Sequence, residues 1–389
     1  MRNPFRASFG AVPLFLAGRD HALDGFEQAL DYAPGAEARA SLVIGARGTG
    51  KTVLLTEMES IARDHDWHVI SLHTSAASLL EEARVRAVEI LRELDPDARG
   101  YRLTGGSLAT VGSVRGEHVD RYTEPLSPAA TLERLTDLLG TETGLLFTLD
   151  EVQSVDPASL AAFAQAYQDL VRSERNVAFV GAGLGAGVHT LLDSPKTTFL
   201  RRARRVEIGM VDIGSAAASI QATVASTSKT IEPDAAVRAA EISQGYPYLI
   251  QYVGAQTWAN AAENPTIMRE DADRALASAI EQMATNIHGP ALRDLAPRKL
   301  EYLEAMLADE GPSRVSDVAS RLGTYHGYQS VYRDRLIEDE LIRPAGRGYV
   351  EFALPYLREA LQRRRDGVRG PSGELGGGVR ARRTPGPGR

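Results

Sequence analysis

The chain has 389 residues, enough for about two or three domains that each bury their own core, and this length excludes a single small module. The net charge of -7 gives no overall basic excess, so any contact with nucleic acid has to be local. The absence of cysteine excludes disulfides, thiolate nucleophiles and cysteine-ligated zinc. Because no apolar run is long enough to span a bilayer, we expect a cytoplasmic protein without a membrane segment.

The first predicted helix follows a glycine and an arginine, Gly18 and Arg19. After Asp20, the sequence HALDGFEQALDYA has apolar residues three and four positions apart, as in an amphipathic helix. The loop before this helix has two interpretations: it packs on a nucleotide base, or it is an ordinary loop in which Asp20 caps the helix. The residues alone leave both interpretations open.

The stretch SLVIGARGTGKT predicts a strand that turns through glycines into a helix. Glycines at this spacing let backbone amides surround a polyphosphate, the lysine reaches the terminal phosphates, and the hydroxyl that follows can hold Mg²⁺. The positive end of the new helix adds to the attraction for phosphate. The predicted phosphate-binding loop consists of Gly45, Ala46, Arg47, Gly48, Thr49, Gly50, Lys51 and Thr52.

A second motif ends a later strand, where the apolar run GLLFTL is followed by Asp150 and Glu151. Beside a phosphate loop, Asp150 can bind Mg²⁺ together with Thr52, and Glu151 can orient or deprotonate an attacking water. The pair therefore favours hydrolysis over simple binding, and it predicts Lys51 and Glu151 as catalytic residues.

Strands alternate with helices over residues 1–211, which predicts an α/β fold with a three-layer, mainly parallel sheet and ligands at the carboxyl ends of the strands. Within this core, residues 95–127 are rich in turn-forming residues and predict a long insertion, to which we assign no chemistry. An arginine cluster that includes Arg201 has two open interpretations. It supplies a cation to the γ-phosphate of a neighbouring subunit, or it is a solvated basic edge.

Residues 212–288 have helical apolar spacing and predict a small helical lid. No strand is expected within it. Gly245, Tyr246 and Pro247 lie between two of its helices, where glycine permits an unusual turn and Pro247 starts the next helix.

Residues 289–362 contain three predicted helices and two extended runs, the pattern of a winged helix. The third helix of such a domain commonly enters the DNA major groove, so we consider double-stranded DNA as a partner. Because acids about balance arginines here, a winged helix that docks a protein is an open alternative. The candidate contacts to DNA are Tyr325, Tyr328, Gln329, Ser330, Arg333 and Arg347. Residues 363–389, rich in Gly, Pro and Arg, predict a disordered basic tail that aids solubility or tethers nucleic acid.

The phosphate loop, the acidic strand end, the Gly-Arg pair before them, the Gly-Tyr-Pro of the lid and the winged helix together resemble AAA+ ATPases. The likeness is strongest to the branch of origin-recognition initiators and related bacterial and archaeal ATP-binding proteins. It covers roughly residues 10–362. It implies that Gly18 and Arg19 lie near the adenine and that Pro247 lies close to the base.

The resemblance also implies ATP and Mg²⁺ as the cofactors. In that family the residue at Lys51 contacts the β- and γ-phosphates, those at Thr52 and Asp150 hold Mg²⁺, and the one at Glu151 positions water. Two departures stand out. A polar sensor residue usually follows the fourth strand, whereas this chain has Gly-Ala-Gly, and the lid helix lacks the usual arginine. Hydrolysis is then slow, or another residue such as Gln153 senses the γ-phosphate.

We therefore expect a Mg²⁺-dependent ATPase whose nucleotide state moves the lid and the winged helix against the core, with DNA as the partner of the winged helix. The alternative is a nucleotide-switched protein-interaction or signalling module. The sequence leaves homo-oligomerisation open.

Overall fold

The structure, a computed structural model, describes residues 2–8, 10–95, 99–105, 115–120, 126–193, 200–293, 295–323 and 326–367. The chain divides into two compact units, with the boundary between Ala279 and Ile280. The predicted basic tail lies outside the described residues from residue 368 onwards. None of the helices in the described ranges is long and apolar enough to cross a membrane.

The first unit is built on a parallel sheet. The strands described in this unit are β1 (Ala40–Ile44), β2 (His68–Leu72), β3 (Arg99–Gly105), β4 (Arg115–Asp120), β5 (Leu145–Leu149), β6 (Val177–Gly183), β7 (Arg204–Glu207), β8 (Thr230–Ile231) and β9 (Thr266–Ile267). The main sheet has five strands, all parallel, in the order β2-β5-β6-β1-β7. The predicted parallel α/β sheet is confirmed.

Helices cover both faces of this sheet. The helices of the described residues in this unit, some of which form the lid region, are α1 (Asp20–Asp31), α2 (Lys51–Asp64), α3 (Leu79–Leu94), α4 (Pro128–Leu139), α5 (Pro157–Arg172), α6 (Gly185–Asp193), α7 (Ile213–Ala225), α8 (Pro233–Ser243), α9 (Pro247–Asn260), α10 (Arg269–Asp273) and α11 (Leu276–Met283), the last of which spans the boundary of the units. Leu42 and Phe147 pack with α3, α4 and α5, whereas their neighbours Val43 and Leu146 pack with α1 and α2. Successive side chains of a strand point to opposite faces, so both faces are buried and three layers result.

The predicted insertion at 95–127 contains β3 and β4, which form an antiparallel hairpin of their own. Arg99 lies opposite Asp120, and the register shifts between Leu103 and Gly105. The hairpin adds no strand to the parallel sheet, as expected for an insertion between α3 and α4.

The lid region contains α7 to α10. The sequence predicted no strand here, whereas β8 and β9 form a short parallel pair in which Thr230 lies opposite Thr266. Strands of two residues are too short for the alternation of side chains to be visible in a sequence. Helix α9 begins at Pro247, as predicted, because the fixed φ of proline suits the first helical position.

The N-terminal segment packs on α9 before the chain enters α1. The backbone N–H of Arg6 donates to Gln251 Oε1 at 3.1 Å. The ring of Phe5 is buried so closely against Gly254 that a Cβ there would lie 2.3 Å from it. The segment therefore ties the lid to the start of the core.

The second unit begins with a π-helical turn, Ala284–His288. Its other elements are α12 (Gly289–Arg293), α13 (Pro297–Met306), β10 (Ser313–Arg314), α14 (Val315–Leu322), α15 (His326–Glu338), β11 (Ile342–Pro344), β12 (Tyr349–Phe352) and α16 (Leu357–Arg365). The strands form an antiparallel sheet in the order β10-β12-β11. Tyr302, Leu336 and Val350 lie at the centre of its core. Helices α13, α14 and α15 and the β11–β12 hairpin match the elements expected from the sequence, whereas α12, β10 and α16 were not predicted. The winged-helix assignment itself remains a prediction.

Candidate nucleotide-binding site

The loop from Gly45 to Gly50 joins β1 to α2 at the carboxyl edge of the sheet. Gly48 and Gly50 have φ values of 74° and 90°, in the left-handed region that glycine adopts without strain. A Cβ at Gly45 would lie 2.6 Å from the carbonyl oxygen of Ile208, so a side chain would collide with the segment after β7. The loop therefore depends on glycine both for its conformation and for its close packing.

Lys51, the first residue of α2, is buried against this loop. Its ammonium group donates to the carbonyl oxygens of Gly45 and Ala46 at 2.9 and 3.0 Å. The hydroxyl of Thr49 donates to the same Ala46 carbonyl at 2.7 Å, and the Arg47 side chain is exposed. The lysine amine is thereby held inside the loop, where its charge can attract a phosphate.

The two predicted metal-binding residues are in contact. Thr52 Oγ1 donates to Asp150 Oδ2 at 2.5 Å, which joins the first turn of α2 to the end of β5. A hydroxyl and a carboxylate are hard oxygen ligands that suit Mg²⁺, an ion that usually keeps one or two protein ligands besides water and phosphates. No cluster of three or more His, Asp or Glu side chains among the described residues could hold a metal alone. These donors therefore fit Mg²⁺ bound together with a nucleotide.

Glu151 has an unusual backbone conformation, with φ 49° and ψ 44°. Positive φ is uncommon for residues other than glycine, and such outliers cluster at functional sites. The chain leaves β5 here and enters a 3₁₀ turn, Val152–Ser154. The Glu151 N–H donates to Asp150 Oδ1 at 2.8 Å, and its carboxylate accepts a hydrogen bond from the side-chain amide of Gln153.

Arg19 is buried beside the phosphate loop. Its guanidinium donates to the carbonyl oxygens of Thr49 at 3.1 Å and Gly209 at 2.5 Å, and burial lowers its pKa. The side chain therefore braces the loop against the segment after β7. Gly18 has a φ of 62°, and a Cβ on it would lie 3.3 Å from Val211 Cγ1. Contact of Gly18 and Arg19 with the adenine remains a prediction.

Comparison with known families decides the class of this site. Residues 16–180 match the model of the AAA ATPase domain, a range that contains the phosphate loop and both acids. Residues 16–180 therefore form an AAA ATPase domain. Residues 285–360 match a domain of unknown function, DUF8462. A comparison with curated proteins finds no match.

Two solved archaeal structures resemble this chain over nearly its whole length. The Walker-type ATPase PABY2304 of Pyrococcus abyssi is 17% identical, with a TM-score of 0.62, and the match covers 89% of this chain and 96% of that one. The ORC2 protein of Aeropyrum pernix, solved as ADPNP-ADP complexes, is 13% identical, with a TM-score of 0.61 and coverage of 93% and 98%. At such identities the likeness shows the fold alone.

The predicted lid contacts the phosphate loop through Tyr246, a residue that was not predicted as part of the site. Its ring is fully buried, and its hydroxyl donates to the carbonyl oxygen of Arg47 at 3.1 Å. A Cβ at Gly48 would lie 1.9 Å from that hydroxyl. Pro247 lies beside it, with its Cβ 3.9 Å from the position of a Cβ on Gly50. Only the position of the tyrosine between Gly and Pro of the lid motif could have indicated this contact.

The lid motif is also joined to the segment that leads out of the core. The N–H of Val211 donates to the carbonyl oxygen of Gly245 at 2.8 Å. Gly245 has a φ of 68°, and a Cβ there would lie 1.9 Å from the Val211 carbonyl oxygen. The turn before α9 therefore requires glycine for two reasons, its backbone conformation and its contact with Val211.

Glu59 is a second residue that the sequence did not single out. Its carboxylate accepts hydrogen bonds from Thr148 Oγ1 at 2.6 Å and Ser71 Oγ at 2.7 Å. It therefore links the phosphate-loop helix α2 to β2 and to the strand that carries Asp150.

Arg201 follows α6 in the chain, and its Nε donates to the carbonyl oxygen of Leu192 at 2.5 Å. The side chain is bound to the last turn of that helix in its own subunit. A role toward the γ-phosphate of a neighbouring subunit remains a prediction.

The predicted DNA contacts lie in the second unit. Arg333 on α15 pairs with its neighbour Asp334 at 2.7 Å, and Arg347 is exposed in the turn between β11 and β12. The backbone of Tyr328 and Gln329 lies in the first turn of α15, while their side chains lie outside the described residues, as does Tyr325. Ser330 follows on the same helix.

Proposed function

We propose that this AAA+ ATPase is a Mg²⁺-dependent, nucleotide-controlled switch. The contact between the Tyr246 hydroxyl of the lid and the Arg47 carbonyl of the phosphate loop is the observation that carries the proposal. A change in the loop on binding or loss of the γ-phosphate alters this hydrogen bond directly. The conformation of the lid then depends directly on which nucleotide is bound, with no other structural element between the lid and the loop.

In the hydrolytic site, the backbone amides of the phosphate loop and the Lys51 ammonium bind the phosphates of ATP. Thr52 and Asp150 would hold Mg²⁺, which would supply positive charge against the phosphate oxygens. Glu151 accepts the proton of the attacking water at its carboxylate and so makes the water a better nucleophile. The ADPNP-ADP complexes of the Aeropyrum pernix ORC2 structure add support by fold analogy.

ATP binding and turnover test this assignment in the wild type, Lys51→Ala and Glu151→Gln. We expect Lys51→Ala to lose ATP binding, and Glu151→Gln to bind ATP but to hydrolyse it about 100-fold more slowly, since general-base catalysis contributes about 10²- to 10⁴-fold. Omission of Mg²⁺ abolishes turnover in the wild type. A wild-type protein that neither binds nor hydrolyses ATP overturns the proposal.

We further propose that the second unit binds double-stranded DNA, with Tyr328, Gln329, Arg333 and Arg347 as contacts. The arrangement of α15 and the β11–β12 turn favours this partner because a helix and a wing are the usual contacts of such a domain. The pairing of arginines with carboxylates, Arg333 with Asp334 and Arg343 with Glu351, favours the alternative of a protein partner.

Duplex binding at several salt concentrations separates the two partners. We compare the full chain, the double variant Arg333→Ala/Arg347→Ala, and a chain that ends at residue 362 and lacks the basic tail. A DNA-binding second unit retains salt-dependent affinity without the tail and loses it in the double variant. Affinity that disappears with the tail alone rejects DNA as the partner of this unit.

We also propose a cytoplasmic location and a homo-oligomer in which Arg201 reaches a neighbouring γ-phosphate. Sedimentation with and without a non-hydrolysable ATP analogue tests the oligomer. If Arg201→Ala assembles and hydrolyses ATP as the wild type does, the role of this arginine is wrong.

A further inference from the structure

Gln153 connects the carboxylate of Glu151 to the neighbouring strand β6. Its side-chain Nε2 donates to Glu151 Oε2, and its Oε1 accepts the backbone N–H of Leu184 at 3.2 Å. Only one orientation of the amide satisfies both partners, because the reverse orientation would place two oxygens and two N–H groups against each other. The direction of this side chain is therefore determined at both ends.

Two glycines provide the space that Gln153 fills. A Cβ at Gly183, the last residue of β6, would lie 2.5 Å from Gln153 Oε1. A Cβ at Gly187 would lie 2.5 Å from both Cβ and Cγ of Gln153. Real Cβ contacts are longer than this, so any larger residue at either position would displace the glutamine. The end of β6 is without a side chain at the place where the glutamine amide lies.

We propose that Gln153 is the positioning residue of Glu151 and acts from the turn after β5 in place of a polar side chain at the end of β6. Its N–H holds one carboxylate oxygen, Oε2. The same hydrogen bond thereby fixes the direction of the other oxygen, Oε1, which is to accept the proton of the attacking water. This inference rests on the proposed role of Glu151 as the base. It accounts for the glycines at the end of β6, where the family that the sequence resembles usually has a polar sensor.

The first test compares kcat and the Kd for ATP in the wild type and in Gln153→Met, which fills a similar volume but cannot donate a hydrogen bond. We expect kcat to fall about tenfold, because a small displacement of a catalytic group costs one to two orders of magnitude, with an unchanged Kd for ATP. Gln153→Glu keeps the shape and places a second carboxylate against Glu151, so it should lower kcat at least as much. Unchanged kcat in Gln153→Met overturns the proposal.

The second test repeats the substitution in the Glu151→Gln background. If Gln153 acts through Glu151, Gln153→Met changes single-turnover hydrolysis there by less than about twofold, because the two losses are not additive for groups that act together. A merely structural role would lower activity equally in both backgrounds, and that result rejects the proposal. Full turnover in Glu151→Gln alone would instead reject the proposed role of Glu151 as the base.

The third test uses the space at Gly183. Gly183→Ala should displace the Gln153 amide and lower kcat as Gln153→Ala does. The double variant Gly183→Ala/Gln153→Ala should then lose less than the sum of the two single losses, because the displaced amide is already absent while the close contacts of the methyl group with Val188 Cγ2 (2.8 Å) and Val152 Cγ1 (2.9 Å) remain. Additive losses would contradict the proposed contact.

Discussion

The two edges of the parallel sheet each bury a cationic side chain that is held by carbonyl oxygens. At the amino edge, the Arg39 guanidinium donates to Ala29 O at 3.0 Å and Leu30 O at 2.8 Å, and also to the side chain of Asn176. At the carboxyl edge, the Lys51 ammonium donates to Gly45 and Ala46. Burial and hydrogen bonding are similar, so neither feature alone identifies a ligand site.

The difference lies in what surrounds each cation. Arg39 binds the end of α1, a regular element, and its guanidinium lies 5.0 Å above the ring of Trp67. Lys51 binds a glycine loop at the beginning of a helix, beside the contact between Thr52 and Asp150. A cation fixed among helix carbonyls and an aromatic ring stabilises the fold, whereas one in a glycine loop beside a carboxylate and a hydroxyl can exchange its partners for phosphate.

The same substitution at both cations should separate stability from ligand binding, and this is the largest effect that we expect. Arg39→Met leaves several buried carbonyls without a donor and should lower the free energy of unfolding by about 4 kcal/mol, with an unchanged Kd for ATP in the folded protein. Lys51→Met should weaken ATP binding by about 100-fold or more and change unfolding by less than about 1 kcal/mol. Urea unfolding and calorimetric titration with ATP measure both. Equal losses of stability in the two variants would show that Lys51 stabilises the fold as Arg39 does, and would contradict this expectation.

His288 in the second unit is a third buried basic side chain, and it donates to one carbonyl oxygen rather than to several. Its Nε2 donates to Pro355 O at 2.9 Å, its Nδ1 is buried with no hydrogen-bond partner among the described residues, and burial lowers its pKa to about 4. The unfolded chain, with a histidine pKa of about 6.5, binds more protons than the folded chain between these values. The free energy of unfolding therefore has its full value above about pH 6.5. It falls by about 3 kcal/mol as the pH decreases toward 4.

Hydrogen exchange in the second unit at pH values from 7 to 4 measures this loss, with His288→Gln as the control. Glutamine keeps a donor for the Pro355 carbonyl and cannot titrate in this range. The free energy of unfolding of the variant should therefore not show the loss of about 3 kcal/mol between pH 6.5 and 4. An imidazole that titrates near pH 6.5 in the NMR spectrum of the folded protein would contradict the expectation.

The smallest expected effect concerns the lid contact at the carboxyl edge. Tyr246→Phe keeps the buried ring and removes only the hydrogen bond to the Arg47 carbonyl, which is worth about 1 kcal/mol. We expect a change in the Kd for ATP of no more than about fivefold, together with faster hydrogen exchange in the phosphate loop. Faster exchange confined to α9, with an unaltered loop, would show that the tyrosine stabilises the lid alone.

Local patterns carried much of the prediction. The loop residues are contiguous, so the spacing of Gly45, Gly48, Gly50 and Lys51 already contains the geometry of phosphate binding. The strand runs are apolar because both faces of the sheet are buried, which made the α/β class visible. The structure confirms that class, and the family match confirms the ATPase domain.

The contacts that complete the site were not visible in the same way. Arg19 was expected near a base, and its guanidinium donates to two backbone carbonyls beside the loop. Tyr246 carried no signal beyond its neighbours, because a tyrosine in a helical lid is ordinary in composition. Gln153 was noted as a sensor of phosphate, whereas its described partners are Glu151 and the Leu184 N–H.

The sequence by itself determined the class of the protein and the residues that are adjacent in the chain, because glycine conformation, lysine position and strand pattern are local properties. Only the tertiary structure decided which distant groups meet. Thr52 and Asp150 are 98 positions apart, and Tyr246 and Arg47 are 199 apart. Such pairs depend on strand order and on the packing of the lid turn against the loop, and no local pattern of residues specifies either.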